Sequence, residues 1–511
     1  MTRVIIIGSG MAGMTAAAFL AKDGADVTLF EQADHTGGVT ATLRRDGFRW
    51  DLGPMALEGI GPGEPADLVM AELGCNRRYD LVRGDRGLAF PDFRVFRPDE
   101  YRGRDWRKER LKELFPHEAA NLDRFYAFLE TSIDLITCER HSAVAGPIRK
   151  IPLLLGMLLL WRRIKKYETW NAQELMAEFF TDEVLKSFFM MILADMTILP
   201  EEYPALGIPF SNQETAYDRR IPPKRALGIG PRNITYQFVR GGCGGIIEAL
   251  ERVILEHGGV IRTNAVVTRI LTKKDRVTGV VLSDGTEHPA EMVLASGGAR
   301  ECFFTLLGRD RLPEDYSRKI DDIPLMESVF MVHLGVEGDI TAHQDVPLNY
   351  YYGTHNVTDG VIKVRDGVYH EGKDGYIIYI PSLHSPEMAP DGAHAVTVYT
   401  IAPYRMKEDW DEVKDEMTRK LVAEAESIIP NLSGMIKTSV TITPKDFGKL
   451  VHLVDHHSFG GYCPMLNRSG APSETPIRGL RFIGSQSETG PGVWTQIISA
   501  RNVVRRAKKD I

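Results

Sequence analysis

Cysteine is scarce and unpatterned in this chain. The five residues Cys75, Cys138, Cys243, Cys302 and Cys463 are odd in number and form no CxxC pair. That excludes a disulfide framework, gives no zinc or iron–sulfur site, and suits a reducing compartment. Long apolar runs are missing too: none reaches the roughly 20 residues that cross a bilayer. Excess positive charge is also missing. A net charge of −7 and a pI near 6.1 argue against bulk nucleic-acid binding. No internal repeat or low-complexity tract is visible. The short apolar run at Val4 enters a glycine turn, so it reads as a first strand rather than a secretory leader, and a cytoplasmic location is expected. At 43% hydrophobic and 26% charged the chain is a folded globular protein, and 511 residues are too many for one simple core.

The first 38 residues carry the main signal. Val4-Ile5-Ile6-Ile7 runs into Gly8-Ser9-Gly10-Met11-Ala12-Gly13, which opens a small-residue helix at Thr15-Ala16-Ala17-Ala18. A second strand, Ala25 to Phe30, ends in Glu31. Gly8 permits a tight turn, and Gly10 lets the backbone approach a pyrophosphate on the helix N-terminus. Gly13 allows close packing, and Glu31 is placed to bond a ribose hydroxyl. This order predicts a dinucleotide site, with NAD and FAD both open. Gly37-Gly38 follows closely. A nicotinamide dehydrogenase does not need that pair, whereas in many flavoproteins it passes near the FAD pyrophosphate; the bland alternative is an ordinary loop.

The nucleotide-binding part looks discontinuous, over about residues 1–85, 240–300 and 471–511. The second piece opens at Arg240-Gly241-Gly242-Cys243-Gly244-Gly245, before a helical run Ile246 to Glu256. Strand-like runs follow at Val260 to Arg262, Ala265 to Thr272, Val277 to Leu282 and Val293 to Ala295. The third piece holds Leu480-Arg481-Phe482-Ile483-Gly484 and a C-terminal helix from about Thr495 to Lys508. Residues 86–239 and 301–470 are expected to build a second, substrate domain. The first stretch reads as mainly helical and the second as a mixed sheet.

Phe48-Arg49-Trp50-Asp51-Leu52-Gly53-Pro54 makes the pattern specific. So do the Gly241 to Gly245 turn, the stretch Pro381-Ser382-Leu383 to Ala393-His394, and Thr475 to Gly484 with Gly490-Pro491-Gly492-Val493 after it. With these motifs the chain resembles the flavin amine oxidase superfamily. Within it the chain most resembles the phytoene desaturase, carotenoid isomerase and retinol saturase family. The resemblance is weakest over about 86–239.

The resemblance implies a two-domain α/β flavoprotein: a Rossmann-like FAD-binding domain with a mixed α+β substrate domain. It implies FAD, held by Gly8, Ser9, Gly10, Met11, Ala12, Gly13, Glu31, Gly37 and Gly38, with Gly53 and Pro54 beside them. Val266 or Val267 would offer backbone to the adenine. Gly484 would approach the ribityl–pyrophosphate region. Gly492 and Val493 would set a helix N-terminus against the negative charge of a reduced flavin. Three departures stand out: Val39 where the family has a basic residue, Ser485 where many FAD proteins have Asp, and Trp494 in the run near the ring.

The activity implied is redox chemistry on C–C bonds of a hydrophobic isoprenoid, with desaturation, saturation and isomerisation all open. The electron acceptor is not read from the sequence. Two alternatives remain: a flavin amine oxidase with an aromatic cage from Trp494 and Tyr462, and a prenyl-lipid carrier of the GDP-dissociation-inhibitor type. The complete glycine set argues against the carrier.

Glu488 lies between Gly484 and Gly492, so it reads either as a general base near the ring or as a local amide cap. Trp494 is the other candidate for the reacting end. Cys463 reads as structural rather than as a covalent flavin link. His452, His456 and His457 read as pocket or surface residues rather than metal ligands, because adjacent strand residues point oppositely. Tyr350, Tyr351 and Tyr352 are candidates to line a long apolar pocket or to fill a core. Finally, an apolar run Ile151 to Trp161 lies between Arg149-Lys150 and Arg162-Arg163-Ile164-Lys165-Lys166. Segment 147–167 is expected either to dip into one leaflet of a membrane or to be a buried helix with snorkelling basic flanks.

Overall fold

A computed structural model describes residues 1–451, 453 and 461–508. Five parallel strands form its first sheet: β1 (Arg3–Ile7), β2 (Asp26–Phe30), β3 (Val260–Arg262), β4 (Met292–Ala295) and β5 (Leu480–Phe482). Their order is β3-β2-β1-β4-β5. The unbroken apolar run Val4–Ile7 suits a central parallel strand, because both faces of such a sheet are covered. On one face, Val4, Ile6, Val27 and Leu29 pack under three helices: α1 (Met11–Lys22), α2 (Gly244–Glu256) and α3 (Val493–Ala507). On the other, Ile5, Ile7 and Phe30 pack against a small antiparallel sheet of Val267–Lys273, Arg276–Leu282 and Glu287–Pro289. The small side chains of α1 let it touch both neighbouring helices, and every residue from Met11 to Ala21 is buried.

A seven-stranded sheet forms the second body. Its order is Ile436–Ile442, Ser328–Glu337, Ala393–Ala402, Gly375–Tyr379, Leu348–Tyr352, Arg86–Ala89 and Arg94–Val95. Its pairings are antiparallel except the parallel join between Leu348–Tyr352 and Arg86–Ala89. Residues 86–239 therefore contribute strands as well as helices, which their sequence did not suggest. Alternation splits the side chains between two cores. Phe330, Val332, Ile378 and Val398 face one core with the Trp410–Glu426 helix residues Leu421 and Val422. Met331, Ile377, Tyr379 and Tyr350 face the other, beneath helices Ala119–Val144, Ala172–Phe179 and Glu183–Met190.

The run at 151–161 is a helix, Pro147–Ile164, and it is not buried core. It packs Gly156, Leu160 and Ile164 inward and leaves its other side in the open. Ile148 is 86% exposed, and Ile151, Leu155, Leu158 and Leu159 are between 54% and 61% exposed. No helix among the described residues is long and apolar enough to cross a membrane.

Asp51 joins the two bodies. Its carboxylate accepts the Cys243 N–H at 2.6 Å and the Tyr379 hydroxyl at 2.9 Å. Tyr379 meets His384 Nε2 at 2.9 Å, His384 Nδ1 meets Ser385 Oγ at 2.8 Å, and Gly241 N–H donates to that oxygen at 3.1 Å. Burial pushes the His384 pKa down to about 3, so the imidazole is neutral. An ionised Asp51 only accepts, so the order that satisfies every atom has Nε2–H donating to Tyr379 and the Ser385 hydroxyl donating to Nδ1.

Burial also raises the Asp51 pKa from 3.8 to about 6, against the hydrogen bonds that lower it. A folded-state pKa above the unfolded one means the native state binds the extra proton, so this group's contribution to stability falls as pH rises from about 4 through 6. Asp51→Asn keeps an acceptor for Cys243 and removes the charge. Relative to wild type, it is expected to gain about 2 kcal/mol between pH 4.5 and pH 8. Denaturant melts of both proteins at the two pH values check this; parallel curves would refute it.

Candidate active site

The carboxyl ends of β1, β4 and β5 open on one crevice, the place where open α/β sheets hold ligands. Gly8 follows β1, Ser296-Gly297 follows β4, and Gly484 follows β5. Ile483 N–H still bonds Ala295 O at 2.9 Å, so the loops after β4 and β5 leave the sheet side by side. Beyond Gly8, α1 starts at Gly10, whose N-cap position carries no side-chain hydrogen bond. Gly38 faces it: a Cβ on Gly38 would sit 3.6 Å from Gly10 Cα. Gly37 N–H holds this pairing by donating to Ser9 O and Ser9 Oγ, each at 3.1 Å. Two backbones without side chains thus line a trough in front of helix amides, the shape and polarity a diphosphate requires. Gly13 serves packing instead. A Cβ there would lie 2.0 Å from Gly8 O.

Glu31 closes the far end of the trough. Its carboxylate accepts Ser9 N–H at 2.7 Å, the Ser9 hydroxyl at 2.5 Å and Ala33 N–H at 2.9 Å. The oxygen bound to Ala33 keeps a lone pair for a further hydroxyl. Ala265 N–H donates to Glu31 O at 2.8 Å, so Val266 and Val267 continue from this same edge. Val266 O is engaged with Ser283 N–H, and Val267 pairs with Leu282. Gly53 lies against Val39, whose oxygen would be 2.6 Å from a Cβ at that position, and Pro54 O accepts the Cys243 thiol at 3.1 Å. Gly492, with φ +109°, starts α3.

Trp494, one residue into α3 beyond Val493, is a packing element. Its Cβ would lie 3.2 Å from a Cβ on Gly59. The Arg140 guanidinium sits 3.9 Å above its ring and also 4.1 Å from the Phe210 ring, with Glu58 3.7 Å away. Trp494 and Tyr462 pack in different cores, yet both reach the Gly490–Gly492 turn: a Cβ on Gly490 would lie 3.7 Å from the Tyr462 hydroxyl and one on Gly492 3.7 Å from Trp494 Nε1. Glu488 is exposed, and its carboxylate accepts Ser473 N–H at 3.3 Å. That contact caps a local amide. Cys463 is buried, its thiol 3.3 Å from Met196 O, and burial pushes its pKa up to about 11. His452, His456 and His457 lie outside the described residues. Tyr350 and Tyr352 face the core between sheet and helices, but Tyr351 points to the opposite side and donates to Gln344.

Sequence reasoning missed the Asp51–Tyr379–His384–Ser385 relay and the buried arginines Arg86, Arg107 and Arg140. His384 lay inside a stretch that signalled resemblance.

The family model described as flavin containing amine oxidoreductase matches residues 11–507, and the chain belongs to that family. FAD is its cofactor, and the glycine trough, the helix amides and Glu31 fit the adenosine diphosphate half. The protein is an FAD-dependent oxidoreductase. It is 26% identical over 532 residues to the zeta-carotene-forming phytoene desaturase of Myxococcus xanthus, an alignment covering 99% of this chain and 93% of that one. It is likewise 26% identical over 532 residues to prolycopene isomerase 2 of an Oncidium hybrid cultivar, covering 99% and 84%. An oxidoreductase structure from Methanosarcina mazei matches with a TM-score of 0.62 at 17% identity, over 98% of this chain and 100% of that one, which shows the fold.

The two glycine roles separate by mutation. A Cβ on Gly10 meets nothing closer than 4.0 Å, whereas one on Gly13 collides with Gly8 O. Gly10→Ala is expected to fold with a melting temperature within about 2 °C of the wild-type apoprotein and to bind FAD at least about tenfold more weakly. Gly13→Ala is expected to lower the apoprotein melting temperature. FAD titration and thermal melts of both variants check the distinction.

Proposed function

We propose that this oxidoreductase acts on C–C bonds of a hydrophobic, carotenoid-like chain. In this reading residues 1–85, 240–300 and 471–511 form the FAD-binding body, and residues 86–239 and 301–470 form the substrate body. The observation that carries it is the core between the seven-stranded sheet and its helices. This core begins at Leu52 and Met55, just past the Asp51 joint, and runs on through Tyr379, Ile377, Tyr350 and Met331. An apolar, aromatic wall leading away from a flavin site suits a long isoprenoid, and the curated relatives are named for carotenoid desaturation and isomerisation. FAD supplies hydride acceptance or donation. The chain's own part is to hold the cofactor, shape the apolar wall and exclude water. Anaerobic incubation of the yellow holoprotein with linear polyenes, with the flavin oxidised or reduced, decides the direction. A product lighter by two mass units means desaturation, one heavier by two means saturation, and equal mass with changed geometry means isomerisation. Turnover of primary amines with no polyene product would overturn the reading.

A second reading concerns the Pro147–Ile164 helix. We infer that its exposed face rests on an anionic membrane surface, where an apolar substrate is stored. Ile148, Ile151, Leu155, Leu158 and Leu159 form an open apolar strip, and Arg149, Lys150, Arg162, Arg163, Lys165 and Lys166 flank it with positive charge. An amphipathic helix of this kind binds through buried apolar area plus attraction to anionic headgroups. Leu155→Asp with Leu158→Asp changes only exposed positions. The double variant is expected to lose sedimentation with phosphatidylglycerol vesicles while keeping its FAD; unchanged sedimentation would refute the reading.

A further inference from the structure

Segment 224–233 is a small antiparallel loop braced on the Pro147–Ile164 helix. Arg225 bridges to Arg232, Ala226 N–H donates to Pro231 O at 2.8 Å, and Asn233 N–H donates to Lys224 O at 2.8 Å. Ala226 is buried with Cys138 and Leu160. Leu227 reaches the helix so closely that a Cβ on Gly156 would lie 2.9 Å from its Cδ1. The tip of the loop is open. Leu227 has φ +52°, a left-handed conformation that a bulky side chain adopts at a cost, and Ile229 is 86% exposed. A cavity of about 540 Å³ lies between this loop, the Pro147–Ile164 helix and the Ala119–Val144 helix, and that volume is in the range of small-molecule sites.

Each wall brings polar groups. The helix gives Arg163, the loop gives Lys224 and Arg225, and the Ala119–Val144 helix gives Glu130, Thr131 and Asp134. Lys224 is paired with Glu130. Among the described residues Arg163 and Arg225 have no carboxylate within ion-pair distance. Asp134 is only 8% exposed. Its Oδ2 accepts the Leu227 N–H at 3.1 Å, and its Oδ1 has no hydrogen-bond partner. Burial raises its pKa, outweighing the Leu227 amide and the Lys224 charge that lower it. The cavity therefore suits a zwitterion, with an anion for the guanidiniums and a donating cation for Asp134. None of the side chains lining it is aromatic. A quaternary ammonium donates no hydrogen bond and is held by ring faces, so it finds no cage here, whereas a primary ammonium has three donors. Exposed apolar side chains border the cavity on two sides. Leu159 precedes Arg163 by one helical turn and belongs to the open strip, and Leu227 lines the cavity on the loop side.

We propose that this cavity binds the headgroup of an ethanolamine phospholipid, its phosphate on Arg163 and Arg225 and its ammonium on Asp134, while Ile229 and the helix strip enter the surrounding acyl layer. This rests on the reading of the Pro147–Ile164 face as membrane-bound, and deepens it: the helix adheres to an anionic surface, and the cavity selects one headgroup on it. Guanidiniums are the side chains best shaped for phosphate, and an ammonium would give Asp134 Oδ1 the donor it lacks. The bordering apolar side chains favour a lipid over a free, soluble headgroup, which would leave them in water.

The test sediments the FAD-loaded full chain with two sets of vesicles that hold phosphatidylglycerol constant. In one the remainder is phosphatidylcholine; in the other part of that is replaced by phosphatidylethanolamine. The wild type is expected to bind the second set at least about tenfold more tightly. Glycerophosphoethanolamine is expected to compete this gain away, and glycerophosphocholine to leave it. Asp134→Asn keeps an acceptor for the Leu227 amide and is expected to lose the gain while still sedimenting with phosphatidylglycerol. Should Asp134→Asn fail to retain FAD, Arg225→Gln, at an exposed position, serves in its place with the same expectation. Equal wild-type binding to the two sets overturns the headgroup site. So does a gain that survives in both variants, because it then reflects lipid packing, and so does binding of glycerophosphoethanolamine with no gain on vesicles. Failure of the parent reading is read separately. Sedimentation with phosphatidylglycerol but no ethanolamine gain keeps the membrane-bound helix and loses the site. An ethanolamine gain with unchanged sedimentation of the Leu155→Asp, Leu158→Asp variant keeps the site and overturns the helix reading.

Discussion

The carboxylate of Asp51 is the point on which the architecture closes. It sits at the end of the Phe48–Asp51 strand and takes one hydrogen bond from the turn that starts α2 and one from the seven-stranded sheet. Three segments far apart in sequence therefore share one buried acid. Trp50 adds a second tie, its indole N–H donating to Leu334 O at 3.0 Å. Because Asp51 is fully desolvated, each lost donor would leave a buried oxygen unpaired, so the joint tolerates little relative movement of the two bodies. The residues just after it, Leu52 to Met55, lead from the crevice at the parallel sheet to the aromatic core beneath the seven-stranded sheet. A rigid joint there fixes the angle between them.

How much of this the sequence disclosed depended on whether a signal was local. The β1–α1–β2 unit was legible because every element has its own pattern: a short β-branched run, glycines at fixed offsets, and an acid at the end of the second strand. Helix α2 and helix α3 were legible from periodicity after glycine, with starts two residues earlier than expected. The strands Arg86–Ala89 and Arg94–Val95 were not. They are short, carry arginine at their first positions, and earn strand geometry only by joining the edge of a sheet whose other members lie more than 230 residues away. Tyr350 to Tyr352 were read as one aromatic lining, but a strand's period of two divides them between opposite cores. The polar relay and the buried arginines were invisible, since neither partner identity nor burial is encoded at fixed spacing.

The fold also joins the two ends of the chain in one sheet. β1 pairs with β4 across almost 290 residues, and β5 adds to β4 from near the end of the chain. Pairing over such distances has high contact order, and the residues between the pieces must be accommodated before the sheet is complete. The same discontinuity places α3, which ends the chain, against α1, which begins it. The crevice exists only once both are present. Cofactor binding and completion of the fold are thereby coupled, because a ligand that binds only the closed sheet stabilises it by mass action.

Near the start of α3 the protein arranges charge without exposing it. Burial raises the Glu58 pKa and lowers that of Arg140, in each case outweighing the attraction of the other at 3.7 Å. Desolvation therefore exceeds the mutual gain, and the pair is a poor source of stability. Its geometry has another use. Arg140 is held between the rings of Phe210 and Trp494, and Trp494 in turn sits against Gly59 at the first turn of α3. The cation thereby fixes the helix start whose amides would face the negative end of a reduced flavin. Glu58 prevents that cation from adding its full charge to the same field. A reduced flavin seated there would meet chiefly the positive helix terminus, whose field favours the reduced state.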